Sequence, residues 1–356
     1  MKQPKLLTRD DFREGVMARD GHRCVFCKRA ADQTAEGKLD AHHIIERRLF
    51  TADHEYGGYY LDNGATVCED CHRKCEMTTI SCQDCRDAAG IKTVVLPSYA
   101  YDDIEYDKWL NPIVHNGMRL KGPLFWDESV QKVLAKGDVL RLFSKYVKHP
   151  RLSHLPWSEG MNSDDRRIEM LDKLIGHEVV VTEKMDGEQT SIYNDYLHAR
   201  AIDGPPHASR AWVKKFASEW QYNLSDDQRI CGENLFAQHS IVYDENNPLA
   251  SYFMGFSMWE RDRCLGWDDT MDAFEILGIT PVPVIWRGVW DEKAIRALYD
   301  PTKDWNTREG YVVRRTDSFT FNEFKHCVAK FVRKGHVQTA KHHWRAQRVI
   351  PNTVAA

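Results

Sequence analysis

Long apolar runs are missing from this 356-residue chain: no uninterrupted stretch approaches the roughly 20 residues that a helix needs to cross a bilayer. A membrane role is therefore not expected. No apolar segment with a small-residue cleavage site follows the opening Met1-Lys2-Gln3-Pro4-Lys5, so no signal peptide is read and a cytoplasmic location is expected. Internal repeats and low-complexity tracts are also lacking, which leaves ordinary globular domains. An excess of positive charge is lacking too, since 49 Lys and Arg against 53 Asp and Glu give a formal net charge of −4. The chain as a whole therefore does not advertise a partner rich in phosphate, and any such affinity must come from a local cluster. Apolar residues at 42% and charged residues at 29% describe a soluble globular protein long enough for two or three domains.

Cysteine is present and concentrated. Seven of the ten fall between Cys24 and Cys85, six of them as Cys-x-x-Cys pairs. In a cytosolic chain such pairs bind metal more often than they form disulfides. Cys24-Val25-Phe26-Cys27 and Cys68-Glu69-Asp70-Cys71 each present two thiolates, together the four soft ligands of a tetrahedral zinc. Cys231, Cys264 and Cys327 stand alone and read as small buried side chains.

Between the two pairs lie Asp40-Ala41-His42-His43-Ile44-Ile45 and Asn63, and His72 directly follows the second pair. This order, over Val16 to Arg73, resembles the HNH nuclease motif. The resemblance implies His43 as general base, His42 and His72 as ligands of a divalent ion, and Asn63 as organiser of the loop. The sequence departs from that pattern where a further histidine is common, with Cys75 in that neighbourhood and Cys82 and Cys85 beyond it. Two readings stay open. Cys75, Cys82 and Cys85 form a second zinc site with a histidine, or they staple a hairpin in a module that grips nucleic acid without cutting it.

Residues 1–92 are thus read as the zinc module and 93–160 as a connector, with near-helical apolar spacing from Asp127 to Val147. The remainder, 161–356, has β-branched or apolar runs at Glu178–Glu183, Ser251–Trp259, Thr280–Trp286 and Glu309–Arg315. Helical patterns lie at Ser209–Trp220 and Thr270–Leu277. Strands and helices interleave without a βαβ rhythm, so the fold expected is α+β, with a mixed and largely antiparallel second domain. From Lys325 to Arg348 the chain carries Lys325, Lys330, Arg333, Lys334, Lys341, Arg345 and Arg348, with His326, His336, His342 and His343 among them. That run can track a phosphate backbone or simply be a solvated face.

At the end of the first expected strand stands Thr182-Glu183-Lys184-Met185-Asp186-Gly187-Glu188. Lys-x-Asp-Gly alone is weak, but an attacking lysine must be neutral, and desolvation or nearby positive charge lowers its pKa. Further residues follow in order: Arg200, Glu233 in Cys231-Gly232-Glu233-Asn234, Phe256, Glu309 in Arg308-Glu309-Gly310-Tyr311, and Lys330 in Ala329-Lys330-Phe331. Singly each has a plain explanation, Phe256 as core and Glu233 as a salt-bridge partner. As a set they resemble motifs I to V of the covalent nucleotidyltransferases, the superfamily of DNA ligases, RNA ligases and mRNA capping enzymes.

The resemblance implies ATP as substrate, Lys184 as nucleophile toward its α-phosphate, and Glu309 and Lys330 as catalytic partners. Glu309 would bind Mg²⁺ or Mn²⁺ and Lys330 would contact the α-phosphate. Glu183, Asp186, Gly187, Arg200, Glu233 and Phe256 would form the nucleotide site, with Arg200 on phosphate, Glu233 on ribose and Phe256 stacked on the purine. Relatives show Lys-x-Lys where this chain has Lys330-Phe331-Val332, and Lys334 is taken as the substitute charge. The residues after Phe331 are too few for the OB-fold usual in DNA ligases and capping enzymes. An RNA ligase is therefore expected, joining a 5′-phosphate to a 3′-hydroxyl in the service of RNA repair. A DNA ligase, a GTP-using capping enzyme and an HNH endonuclease with a nucleotide-dependent regulatory domain remain the alternatives.

Overall fold

The computed structural model describes residues 5–114, 117–162, 165–202, 207–336 and 349–355. It divides into two compact units, residues 1–147 and 148–356. Among the described residues, no helix is long and apolar enough to cross a membrane.

The first unit opens with helix α1 (Arg9–Arg19), whose start is capped by Thr8 accepting from the Asp11 amide. A two-stranded antiparallel ribbon follows, β1 (Asp40–His43) against β2 (Gly64–Val67), with His42 opposite Ala65 and His43 opposite Gly64. Helix α2 (Glu69–Glu76) leaves directly from β2, completing a ββα arrangement. Helix α3 (Cys82–Ala89) is set by a capping box between Ser81 and Asp84 and ends at Gly90 in the left-handed conformation.

Residues expected to be a connector pack into this same unit. The strand pair β3 (Glu105–Tyr106) and β4 (Pro112–Ile113) lies in it, and Trp109, Leu110, Leu124, Phe125, Val130 and Leu134 share one core with Cys24, Ile44, Val67 and Cys85. The helix expected over Asp127–Val147 is shorter. Helix α4 covers Glu128–Lys136 and stops at Gly137, after which Asp138 takes a positive φ and Leu140–Leu142 form a single 3-10 turn. The apolar spacing beyond Gly137 belongs to a folded-back segment, which periodicity cannot distinguish from a continued helix.

The second unit contains two sheets. One has five strands: β5 (Ser153–His154), β6 (Glu178–Glu183), β12 (Val284–Val289), β13 (Gly310–Arg315) and β15 (Val328–Val332), in the order β12-β6-β13-β15-β5. The other has six: β7 (Glu188–Ile192), β8 (Leu197–Ala199), β9 (Gln228–Asn234), β10 (Phe253–Glu260), β11 (Arg263–Cys264) and β14 (Phe319–Thr320), in the order β14-β11-β10-β9-β7-β8. All named strand pairs are antiparallel except β15 with β5. The mixed, antiparallel α+β character expected from the sequence is therefore present.

Helices α5 (Ala211–Ser218), α6 (Trp267–Leu277), α7 (Glu292–Arg296) and α8 (Phe324–Cys327) fill the connections. The run Thr280–Trp286 is a strand only from Val284 onward, because Pro281 and Pro283 have no amide to donate to a ladder. Strand β6 explains its own unbroken valine run. Val179 and Val181 face one core with Leu155, Leu174 and Tyr311, while Val180 faces another with Leu235, Met254 and Trp267. Alternate side chains point to opposite faces, so a strand covered on both sides needs apolar residues throughout. Each such valine contributes about 1.5–3 kcal/mol by its burial.

Candidate functional site

In the second unit the two sheets bring together residues separated by up to some 150 positions. Strand β6 ends at Glu183, and the Lys184 amide donates to the Gly310 carbonyl at 3.0 Å, which places the lysine beside the start of β13. The next turn is pinned from the other side. The Asp186 amide donates to the Tyr243 hydroxyl at 3.0 Å, and an Asp186 carboxylate oxygen accepts from the Ile241 amide at 2.6 Å. Gly187 is there for space, since a Cβ on it would stand 2.5 Å from the Asn234 carbonyl oxygen.

A cavity in this unit is lined by the polar residues Glu183, Lys184, Gln189, Arg200, Glu233 and Lys330 and by the apolar residues Phe256, Trp267, Val282, Phe319 and Phe324, among others. Six residues of the set singled out above, Glu183, Lys184, Arg200, Glu233, Phe256 and Lys330, thus line one cavity. Asp186 and Glu309 are buried and are not among the lining residues, and Glu309 forms an ion pair of 2.7 Å with the Lys184 ammonium. Lys334 is exposed and is not among the cavity-lining residues. Lys341, Arg345, Arg348, His342, His343 and Trp344 fall outside the described residues.

The electrostatics reverse one expectation. Burial works against the Lys184 charge, but Glu309, Glu233 and Asp186 outweigh it, and its pKa is raised rather than lowered. Burial and the mutual repulsion of these acids push Asp186 up to about 7 and Glu233 up to about 8. Lys330 is shifted the other way, held below the usual lysine range by burial and by Lys184. A proton on Lys184 is thus favoured as long as three carboxyl groups face it alone.

Composition gave no separate signal for several neighbours. His336 lies with its Nε2 3.5 Å from Glu309 and 3.8 Å from Asp186, and its Nδ1 is buried without a hydrogen-bond partner. Asp186, Glu309 and His336 offer three buried ligand atoms within 4.8 Å of one another, a donor set that fits a divalent cation. Asp165 pairs with Lys330 at 3.5 Å and with His154 at 3.3 Å. His149 lines the cavity edge-on to Phe256, with ring centroids 5.5 Å apart, and burial depresses it to about 3, so it is neutral.

In the first unit, Cys24, Cys27, Cys68 and Cys71 converge with all four ligand atoms within 4.8 Å. Cys27 Sγ stands 3.6 Å from Cys68 Sγ, and Arg29 lies 3.3 Å from Cys27. Cys27 is exposed, and what desolvation it suffers pushes its thiol up, but Arg29 prevails and lowers it to about 6. This set fits a zinc ion.

Asn63 is buried and pins the chain around β1: its side chain accepts from the Ile45 amide at 2.9 Å and donates to the carbonyls of Ile45 and Gly58. His43 stacks on Phe12 at 4.5 Å, its Nε2 is buried without a hydrogen-bond partner, and burial and Lys108 lower it to about 4. His42 and His72 converge with Glu76, a residue that the sequence reading passed over. Its signal was available, because Glu76 stands four residues after His72 on a helix and so shares its face. His72 also approaches Asp40 at 3.2 Å, and the buried Lys108 ammonium reaches the His43 carbonyl, Glu46 and Glu76. Cys75 and Cys85 converge with His42, whereas Cys82 sits apart with its thiol donating to the Ile44 carbonyl at 3.4 Å.

Comparison with known proteins adds one direct finding: residues 177–332 match the family model for RNA ligase. No curated protein matches the chain. Among solved structures, an archaeal ATP-dependent RNA ligase is similar at 16% identity, covering 53% of this chain and 48% of its own, with a TM-score of 0.35. An RNA ligase variant of Naegleria gruberi, solved with ATP and manganese, is similar at 16% identity over 56% of this chain and 60% of its own, with a TM-score of 0.38. A protein of Aquifex aeolicus, provisionally assigned as an ATP-dependent DNA ligase, is 19% identical over 53% of this chain and 50% of its own, with a TM-score of 0.36. The chain spans about half the length of the first of these structures that it matches. Similarities so remote assign no activity.

Proposed function

We propose that this protein is an ATP-dependent RNA ligase, sealing a 5′-phosphate to a 3′-hydroxyl through a lysyl-AMP at Lys184. The observation that carries the reading is the gathering of Lys184, Glu233, Phe256 and Lys330 around one cavity, with Glu309 paired to the lysine, inside the stretch that resembles the RNA ligase family.

In this reading the apolar wall and Phe256 take the purine, Glu233 the ribose hydroxyls, and Arg200 and Lys330 the phosphates. Lys184 attacks the α-phosphorus with its nitrogen lone pair, forming a P–N bond while the P–O bond to pyrophosphate breaks and a proton leaves the amine. A divalent cation, Mg²⁺ or Mn²⁺, would be held by Glu309 with Asp186 and His336 in reach, and would supply positive charge to the carboxylates and phosphates. With such an ion bound, Glu309 would have a partner other than Lys184, and the charge that favours the ammonium would be offset. Lys330, held below the usual lysine range, adds a positive neighbour that disfavours the proton on Lys184. AMP then passes to a 5′-phosphate and leaves as the 3′-hydroxyl attacks. The match of residues 177–332 to the RNA ligase family supports RNA over DNA as the substrate.

The zinc module, on the four-cysteine cluster, serves in this reading as a grip on nucleic acid. A second reading, metal-dependent cleavage at an HNH-like centre, is favoured by the convergence of His42, His72 and Glu76 beside His43.

The test is self-labelling. The full chain with Mg²⁺ and ATP labelled at the α-phosphate should retain label after denaturation, GTP should not replace ATP, and Lys184→Ala should retain none. Absence of label with either nucleotide would refute the ligase reading, and nicking that survives Lys184→Ala but not His43→Ala would establish the second one.

A further inference from the structure

The first unit carries a buried cluster that neither the four-cysteine ion nor the ligase site uses. We propose that His42, Cys75 and Cys85 hold a second zinc ion, separate from that of Cys24, Cys27, Cys68 and Cys71.

Three elements distant in sequence deliver these ligands. His42 comes from β1, Cys75 from the last turn of α2, and Cys85 from α3, whose first turn is fixed by the Ser81 capping box. The three ligand atoms lie within 4.8 Å of one another. Each residue is only 2% exposed, and both cysteines are free thiols. Cys75 Sγ and Cys85 Sγ stand 3.6 Å apart, the same separation as Cys27 and Cys68 in the other cluster. Two thiolates sharing a tetrahedral zinc, each about 2.3 Å from the ion, stand roughly 3.8 Å apart.

An independent observation points to a ligand. His42 Nδ1 is buried and makes no well-formed hydrogen bond, the Glu76 carboxylate standing off at 3.5 Å. An imidazole nitrogen does not usually stay unpaired in a core, and a soft cation beside two thiols satisfies it. The sites are distinct because Cys71 and Cys75 are four residues apart on α2. One helical turn of about 6 Å separates them along the same face, so the helix offers one thiol to each ion.

Cys82 is outside the ligand set, its thiol bonded to the Ile44 carbonyl. Glu76, paired with His42 at that 3.5 Å, is a carboxylate beside the cluster. Binding deprotonates Cys75 and Cys85, so two protons leave for each Zn²⁺ that enters and the Cys₂His set becomes neutral. The ion ties β1, α2 and α3 together, and it claims His42 from the cluster with His72 and Glu76.

Native mass spectrometry of the full chain, expressed with zinc, tests this directly. Two zinc ions per chain are expected, with one lost in the double variant Cys75→Ser/Cys85→Ser and both kept in Cys82→Ser and in His42→Cys, which exchanges one zinc ligand type for another. Cobalt substitution supplies a reading independent of variant stability: sulfur-to-cobalt charge-transfer absorbance should correspond to six thiolates in the parent protein and seven in His42→Cys. A single zinc in the parent protein, or two that persist in the double variant, overturns the proposal.

Discussion

Lys184 and the acids around it set the problem that this site must solve. The lysine is held charged against its burial by Glu309, Glu233 and Asp186, and burial and the neighbouring acids in turn hold Glu233 and Asp186 partly protonated. In the proposed reaction this arrangement keeps Lys184 protonated until positive charge arrives. Its cost is legible as a pH dependence. Glu233 titrates near 8 in the folded chain, against an ordinary value near 4.5. The folded state therefore binds more protons in this interval, and the stability linked to Glu233 is complete below about pH 4.5 and lost as pH rises through about 8. Without nucleotide or divalent metal, the melting temperature of the parent protein should fall more steeply from about pH 6 to about pH 8 than that of Glu233→Gln. Parallel curves in differential scanning calorimetry would show that Glu233 is not buried in its acid form.

At the scale of elements, the contact between β13 and β15 sets the spacing of two groups the proposed reaction relies on, because Glu309 precedes the first and Lys330 lies on the second. Gly310 permits that contact. A Cβ there would stand 2.0 Å from the Phe331 carbonyl oxygen and 3.2 Å from the Val332 Cα, backbone atoms that cannot move aside singly. Gly310→Ala should force the strands apart, at a cost of about 1–3 kcal/mol in stability by overpacking. It should also slow self-labelling by on the order of 100-fold, since displacements of about 1 Å have that effect on a reacting pair. A variant as stable and as fast as the parent would mean that β13 does not position Glu309.

For the whole molecule, the two units rest on different physics. Residues 148–356 are built on extended apolar cores between and beside two sheets, whereas residues 1–147 gather their core around cysteine clusters. Metal bound only by the folded form adds to stability, and its removal subtracts from it. A zinc chelator should therefore lower the melting transition of the first unit by 10 °C or more, on the order of what a few kcal/mol does to a domain of this size. The transition of the second unit should stay in place. Equal shifts in both transitions, or in neither, would contradict a zinc-dependent first unit.

Local chemistry carried much of this protein's plan. The valines of β6, the Lys-x-Asp-Gly turn and the paired cysteines declare themselves in sequence because their constraints, burial on two faces, a tight turn and thiolate pairs at short spacing, act between near neighbours. Glu233, Glu309 and Lys330 could be named only as an ordered set, and the sheets alone decided that they meet at Lys184. The direction of the Lys184 shift was not legible at all, because it depends on the distances to three acids from three separate segments. The same holds for His42, where β1, α2 and α3 determine which cysteines it faces: Cys75 and Cys85 enter the cluster and Cys82 does not, although the spacing of the three was equally visible in the chain. Spacing along a chain specifies which ligands can act together within one turn or strand; the packing of separate elements decides which of them do.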